Sequence, residues 1–245
     1  MDPRKVVRSA SEGGVLTLSA TAGMEGGFLT AAEALLQHAG FILRGGFRPA
    51  EEDAVPPLPD GRPVRTVIMV GNAGPAMWHA FRGRGAGETL DEWTKRELTA
   101  AASALGVTPL FPFDGPPYLP FQRWARRAEP VHSSPIGVLI HPDYGLWHAY
   151  RGAFALAEEV PLPPRDDRPS PCEACPDRPC LTTCPVGAFA PGHYDVAVCA
   201  SHLAGPDGQD CLGLGCRARR ACPLGRPYEP DQARFHMRAF LAAHS

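Results

Sequence analysis

The sequence predicts a two-part chain, a mixed helix-and-strand domain followed by a small, loop-rich metal-binding module. Three observations carry that reading. The eight cysteines of the 245-residue chain are absent until Cys172. Upstream, helical and strand-like patterns alternate to about residue 157. Between the two lies the segment EEVPLPPRDDRPSP, residues 158–171, whose proline and charge density marks a stiff linker rather than an element. The boundary is therefore placed near residue 165, giving parts 1–165 and 166–245.

Each element of the first part has a local signal. Thr30-Ala31-Ala32-Glu33 has capping-box spacing before Leu35, Leu36 and Gly40, which predicts a short helix closed by glycine. Residues 64–70 are mostly apolar and β-branched, as in a buried strand, and lead into Gly71-Asn72-Ala73-Gly74-Pro75. Pro75 suits the first turn of a helix over 76–82. A second capping box, Thr89-Leu90-Asp91-Glu92, opens the longest helix, ending near Gly106. Strands are expected at 107–111, 136–140 and 146–156, the last two joined by the turn His141-Pro142-Asp143-Tyr144-Gly145. A helix over 122–127 is expected before them.

Composition narrows the function classes. With 44% hydrophobic and 20% charged residues, the chain reads as soluble and globular. No run approaches ~18 uninterrupted apolar residues, and residues 1–20 have no apolar leader core. A cytoplasmic location without a membrane partner is expected, where thiols stay reduced and clustered cysteines hold metal more often than disulfides. Net charge is -2, which provides no global attraction to nucleic acid or anionic lipid. Nucleic acid is therefore not an expected partner.

The cysteines fall into Cys172-x2-Cys175-x4-Cys180-x3-Cys184-Pro185 and Cys211-x4-Cys216-x5-Cys222-Pro223, with Cys199 between. Iron-sulfur clusters draw thiolates from short, turn-rich chain, and the bacterial ferredoxin run C-x2-C-x2-C-x3-C-P does so with the fourth cysteine serving the other cluster. By that rule Cys172, Cys175, Cys180 and Cys222 hold one 4Fe-4S cluster. Cys184, Cys199, Cys211 and Cys216 remain for a second, though their spacings depart from the pattern. A zinc ribbon on Cys172 and Cys175, or disulfide staples, are the competing structural readings.

The segment PLPPRDDRPSPCEACPDRPCLTTCPVGAFAPGHYDVAVCASHL resembles the cluster module of epoxyqueuosine reductases. That resemblance implies two 4Fe-4S clusters, a cobalamin and action on a modified transfer-RNA base. It weakens at GCRARRACP, where Arg219 stands in place of a family cysteine. Upstream, VIMVGNAGPAMWHAF and PFQRWARRAEPVHSSPIGVLIHPDYGLWHAYRG resemble the CblC-type cobalamin-processing family over about residues 35–165. This second resemblance implies an α+β, flavin-reductase-like (nitroreductase-related) fold that binds base-off cobalamin and removes its upper cyano or alkyl ligand. The fold relationship also admits a flavin. A small ferredoxin-like iron-sulfur module follows it.

Site candidates come from both sources. GNAGPAMW places exposed amides after a strand and before a helix, which suits an anion, but it lacks dinucleotide or Walker spacing. The resemblance instead makes Gly74, Pro75, Ala76 and Met77 a backbone wall around a corrin. His141 and His148 read locally as turn and strand histidines. The resemblance implies that they neighbour the corrin without ligating cobalt. Trp147 and Tyr150 face opposite ways on a strand, and Trp147 is the one placed toward the corrin. Arg151, locally a strand-edge arginine, matches a family arginine that helps bind glutathione, and it is the catalytic candidate as an anchor for an anionic group. Two basic patches, Arg123/Arg126/Arg127 and Arg217/Arg219/Arg220, read as solvated surface; the second could also favour reduced clusters or dock an acidic donor.

The combined expectation is a corrinoid-binding iron-sulfur reductase, fed by an unidentified low-potential donor and serving a cobalamin acceptor protein. The competing expectations are a transfer-RNA-modifying epoxyqueuosine reductase relative and a non-catalytic electron carrier or cobalamin chaperone.

Overall fold

A computed structural model describes residues 27–244; residues 1–20, which the sequence reads as lacking a leader, lie outside them. The first part comprises α1 (Gly27–Gln37), β1 (Ile42–Phe47), β2 (Thr66–Ala73), α2 (Ala76–Arg84), α3 (Leu90–Leu105), β3 (Thr108–Leu110), α4 (Phe121–Ala128), β4 (His132–Ser133), β5 (Leu139–Ile140) and β6 (His148–Leu156). Four strands form an antiparallel sheet in the order β1-β2-β6-β3. Helices flank it, which makes the class α+β.

The second capping box forms as its sequence predicts. Glu92 N–H donates to Thr89 Oγ1 at 3.2 Å, Thr89 N–H donates to Glu92 Oε2 at 2.8 Å, and Gly106 closes α3 in the left-handed region at φ 69. The first does not. Because α1 starts at Gly27, Thr30 and Glu33 lie inside it; Phe28 and Leu29 pack on the core and carry the helix a turn further back. Of the strand expected over 136–140, only Leu139–Ile140 is extended. Gly137, at φ 80, instead closes a turn in which its N–H bonds Ser134 O at 3.0 Å. Strand β1, which carries Arg44, has no counterpart in the sequence reading.

The two sheet faces bury different cores. Ile68, Val70, Phe154 and Leu156 meet Trp78 of α2 and Trp93 of α3. On the other face, Val67, Met69 and Ala153 meet Phe121 and Trp124 of α4. Between β2 and β6 the register slips, so that Val70 pairs with Gly152 and Gly71 with Tyr150, leaving Arg151 as the extra residue of a β-bulge. Consequently Tyr150 and Ala153 face α4, while Arg151 and Gly152 both face α3. A Cβ on Gly71 would stand 2.0 Å from Ala149 O, so the close approach at this bulge requires glycine.

The second part comprises α5 (Pro179–Thr182), β7 (Phe189–Ala190), β8 (His193–Tyr194), α6 (Val196–Ala204), α7 (Gln209–Leu214), α8 (Arg217–Arg220) and α9 (Pro230–Ala243). It is mainly helical, so its ferredoxin-like character rests on its cysteine pattern. α9 packs on α6 and α7 and also returns to the first part. Trp78 Nε1 donates to Asp231 Oδ2 at 3.0 Å, and the Trp78 and Phe235 rings lie 5.1 Å apart.

Candidate functional site

The eight thiols occupy two separate places, and none is in a disulfide. Cys172, Cys175, Cys180 and Cys222 line one cavity of about 550 Å3, walled also by Ser134, Ile140 and Leu146 of the first part. The turn before α5 supplies Cys172 and Cys175, α5 itself supplies Cys180, and the chain leaving α8 supplies Cys222. Cys184, Cys199, Cys211 and Cys216 line a second, tightly closed cavity with Phe189, Leu203, Ala218 and Met237, all from the second part. Burial pushes the Cys216 thiol up to about 11; it pushes Cys172, Cys180 and Cys199 upward too. Among the described residues, no three His, Cys, Asp or Glu side chains converge as ligands of a single metal ion.

Arg219 joins the parts. Its Nε donates to Leu146 O at 3.1 Å, and its guanidinium lies 4.4 Å from the Trp147 ring centroid and 4.8 Å from that of Tyr228. Arg217 and Arg220 both pair with Asp210 on the surface. The basic patch of the sequence is thus split between an interface staple and ordinary surface ion pairs.

On the α4 face of β6 lies a buried polar network that sequence reasoning missed. The Arg44 guanidinium, fully buried, donates to Glu129 from Nε at 2.8 Å and from Nη2 at 2.7 Å. Glu129 Oε2 also accepts the Tyr150 hydroxyl at 2.7 Å. Arg44 Nη2 donates to His148 Nδ1 at 3.2 Å, and because a guanidinium only donates, the His148 proton is on Nε2, which donates to Leu139 O at 3.1 Å. Burial and then the Arg44 charge lower His148 to about 3. His141 Nδ1 accepts the Asp143 N–H at 3.0 Å, which leaves Nε2 4.0 Å from Glu129 Oε2. Burial lowers His141 as well, against the opposing pull of Glu129. Tyr144 stacks on His141 at 4.5 Å and lies under Arg44 at 5.0 Å. The signal in the sequence was a lone arginine between Leu43 and Gly45.

The opposite face, under α9, is unlike it. Trp147 is 3% exposed and meets Tyr228 edge-on at 5.4 Å, yet its Nε1 has no partner. Arg151 Nη2 donates to Asp91 Oδ1 at 2.5 Å and Thr94 Oγ1 at 3.2 Å, while its buried Nε is unpartnered. Asn72 pairs across the sheet with Ala149, the residue between these two on the same face. Both polar atoms of its buried amide lack partners, as do both of Gln232 on α9. Gln232 lies one turn before His236 on α9. Burial, followed by the Arg219 and Arg151 charges, lowers His236 to about 4.

Thus Trp147 and Arg151 share one face, and His141 and His148 belong to the other. Of the glycine turn, Gly74 has φ 69 and open space beside it, Pro75 and Ala76 are exposed, and Met77 is buried at the base of α2. α9 spans the two stretches that the sequence singled out. Asp231 meets Trp78 of α2, Glu229 just before α9 meets His79 Nε2 at 2.8 Å, and Ala233 shares a cluster with Trp147, the residue before β6.

The fold is similar to that of the Caenorhabditis elegans B12-trafficking protein CblC, a homologue of human MMACHC. The TM-score is 0.55 at 16% identity, over 89% of this chain and 92% of that one. This chain has the CblC fold. Epoxyqueuosine reductase from Bacillus subtilis matches at TM-score 0.46 and 16% identity, over 84% of this chain and 71% of that one. An epoxyqueuosine reductase bound to a transfer-RNA stem loop matches at 0.45 and 17%, with the same coverage. No family model matches the chain, and no curated protein matches its sequence. The expectation that nucleic acid is not a partner draws no support from these likenesses. No helix among the described residues is long and apolar enough to cross a membrane.

Proposed function

We propose that this chain is a corrinoid-handling iron-sulfur reductase, in which electrons entering at the second part reduce a corrinoid held against the CblC-fold part. The observation that carries the reading is the division of eight cysteines into two cavities of four, one of them lined also by Ser134, Ile140 and Leu146 from the first part.

The donor sets suit the groups. Each cavity brings four thiols together, beside Asp177 in one and His202 in the other, and four thiolates are what a 4Fe-4S cluster takes, each on its own iron. Clusters so bound supply one-electron transfer at low potential. For a corrinoid, whose periphery is rich in amides, the unpartnered Asn72, Trp147, Arg151 and Gln232 groups are matching donors and acceptors.

The chain's own residues divide the work. Cys184, Cys199, Cys211 and Cys216 form the outer set, walled only by the second part, and receive electrons from an unidentified donor. Cys172, Cys175, Cys180 and Cys222 form the inner set, where Ile140 and Leu146 exclude water on the side of the CblC fold. Arg219 holds the two parts in register. Gly74, Pro75, Ala76, Met77 and Trp147 border the corrinoid, and Arg151 anchors an anionic group there. His141 and His148 support that wall from behind without reaching the ligand. Corrinoid binding at these stretches requires α9 to move outward, because it lies across both of them. A flavin or a thiol cosubstrate, and a downstream cobalamin acceptor protein, are compatible additions.

Anaerobic reconstitution with iron and sulfide, followed by a cobalamin titration, tests the proposal. The protein should be brown, bleach with dithionite and shift added cobalamin toward its base-off spectrum. Cys222→Ser should remove about half of the iron, the share of one of two clusters. Colourless protein, or cobalamin whose spectrum does not change, overturns the reading.

A further inference from the structure

We propose that Ser134 is a hydrogen-bond donor to the inner cluster and sets its reduction potential. Ser134 belongs to the CblC-fold part, in the turn between β4 and β5, yet it lines the cavity of Cys172, Cys175, Cys180 and Cys222. Its backbone is already satisfied: its N–H donates to Val138 O at 3.0 Å, and its carbonyl accepts the Gly137 N–H at 3.0 Å. The residue is 7% exposed, and its hydroxyl has no partner.

A buried hydroxyl left unmatched is costly, and a bound acceptor in the cavity would offset that cost. The cavity is also lined by Pro135, Ile140, Leu146 and the four cysteines, with Asp177 and Arg178 as its charged residues. With a cluster bound on the four cysteines, its sulfurs are the acceptors that the proposal assigns to the hydroxyl. A hydrogen bond to a cluster sulfur offsets the charge gained on reduction and raises the potential. Because the hydroxyl comes from the part that would hold the corrinoid, the packing of the two parts reaches the electron-transfer potential directly. Outer-set thiolate Cys184 instead takes a backbone donor from within its own part, Ala188 N–H at 3.4 Å.

The inference rests on the iron-sulfur reading, and the test separates the two. Redox titration of the reconstituted full-length protein, followed by paramagnetic resonance, should resolve two midpoints in the wild type. Ser134→Ala should keep the iron content and lower one midpoint, making the inner cluster roughly tenfold harder to reduce, which is ~59 mV for one electron. The other midpoint should stay, and Ser134→Thr should restore the first. In case Ser134→Ala loses its cluster, pulsed resonance of reduced wild type after exchange into heavy water gives a second readout. A strongly coupled exchangeable deuteron should be present in wild type and Ser134→Thr. Wild type without a reducible cluster defeats the iron-sulfur reading. Unchanged midpoints in Ser134→Ala, or no coupled deuteron in wild type, defeat the role of Ser134 alone.

Discussion

The two faces of β6 solve the same problem in opposite ways. Toward α4, Arg44, Glu129, His148 and Tyr150 bury charge and polarity, and each finds partners inside the protein. On the opposite face Trp147 and Asn72 are buried, as is Gln232 on α9, while Arg151 is part-exposed and packs on α3; each keeps a polar atom without a partner among the described residues. Buried polar groups are nearly always matched, so the first face has the character of a structural brace, and under the proposed function the second is the face that meets a ligand. The difference teaches where to look: the residue types are similar, and satisfaction separates them.

The largest effect should come from breaking the brace. Glu129→Ala leaves the Arg44 cation buried without its carboxylate and should cost about 3–5 kcal/mol in urea unfolding. A loss below about 1 kcal/mol would mean that the network is not the brace described.

The pH dependence of stability sharpens the same point. His148 titrates at about 3 in the folded chain, below its ordinary 6.5. As pH falls through 6.5 the unfolded chain takes up the proton first, so stability is complete above that value and is lost progressively down to about 3. At pH 5.5 the share lost through His148 is on the order of 1 kcal/mol. His148→Asn should remove that much of the difference between unfolding at pH 7.5 and at pH 5.5; His141 and His236, also lowered, contribute in the same direction.

On the other face the sign should reverse. Gln232→Leu replaces an unmatched amide by an apolar side chain and should raise stability by ~1 kcal/mol, while weakening corrinoid binding in the optical titration. A stability loss would show that the amide is satisfied in solution and that the contrast fails. Hydrogen exchange in residues 230–243 should quicken on adding cobalamin, while residues 42–47 stay protected.

How much of this was legible in the sequence depends on the range of the interaction. The capping box at Thr89, the helix start at Pro75 and the glycine end at Gly106 involve residues within a few positions of one another, and local pattern placed them. The division of the cysteines followed from spacing within a short, turn-rich segment, and the same two groups of four line the two cavities. Thr30 misled because the same capping pattern also fits inside a helix whose apolar residues continue upstream.

Arg44 and Glu129 are 85 positions apart, Ser134 lines the cavity of four cysteines from the other side of the join, and Trp147 meets Tyr228 and Ala233 from the far end of the chain. None has a neighbour in sequence that hints at its partner. By itself the sequence determined the elements with strong local signals, such as α2 and α3, and the segregation of the thiols, but not β1 or the turn over 134–137. Only the tertiary structure decided which polar groups are matched, because burial and partners are set by distant chain segments meeting.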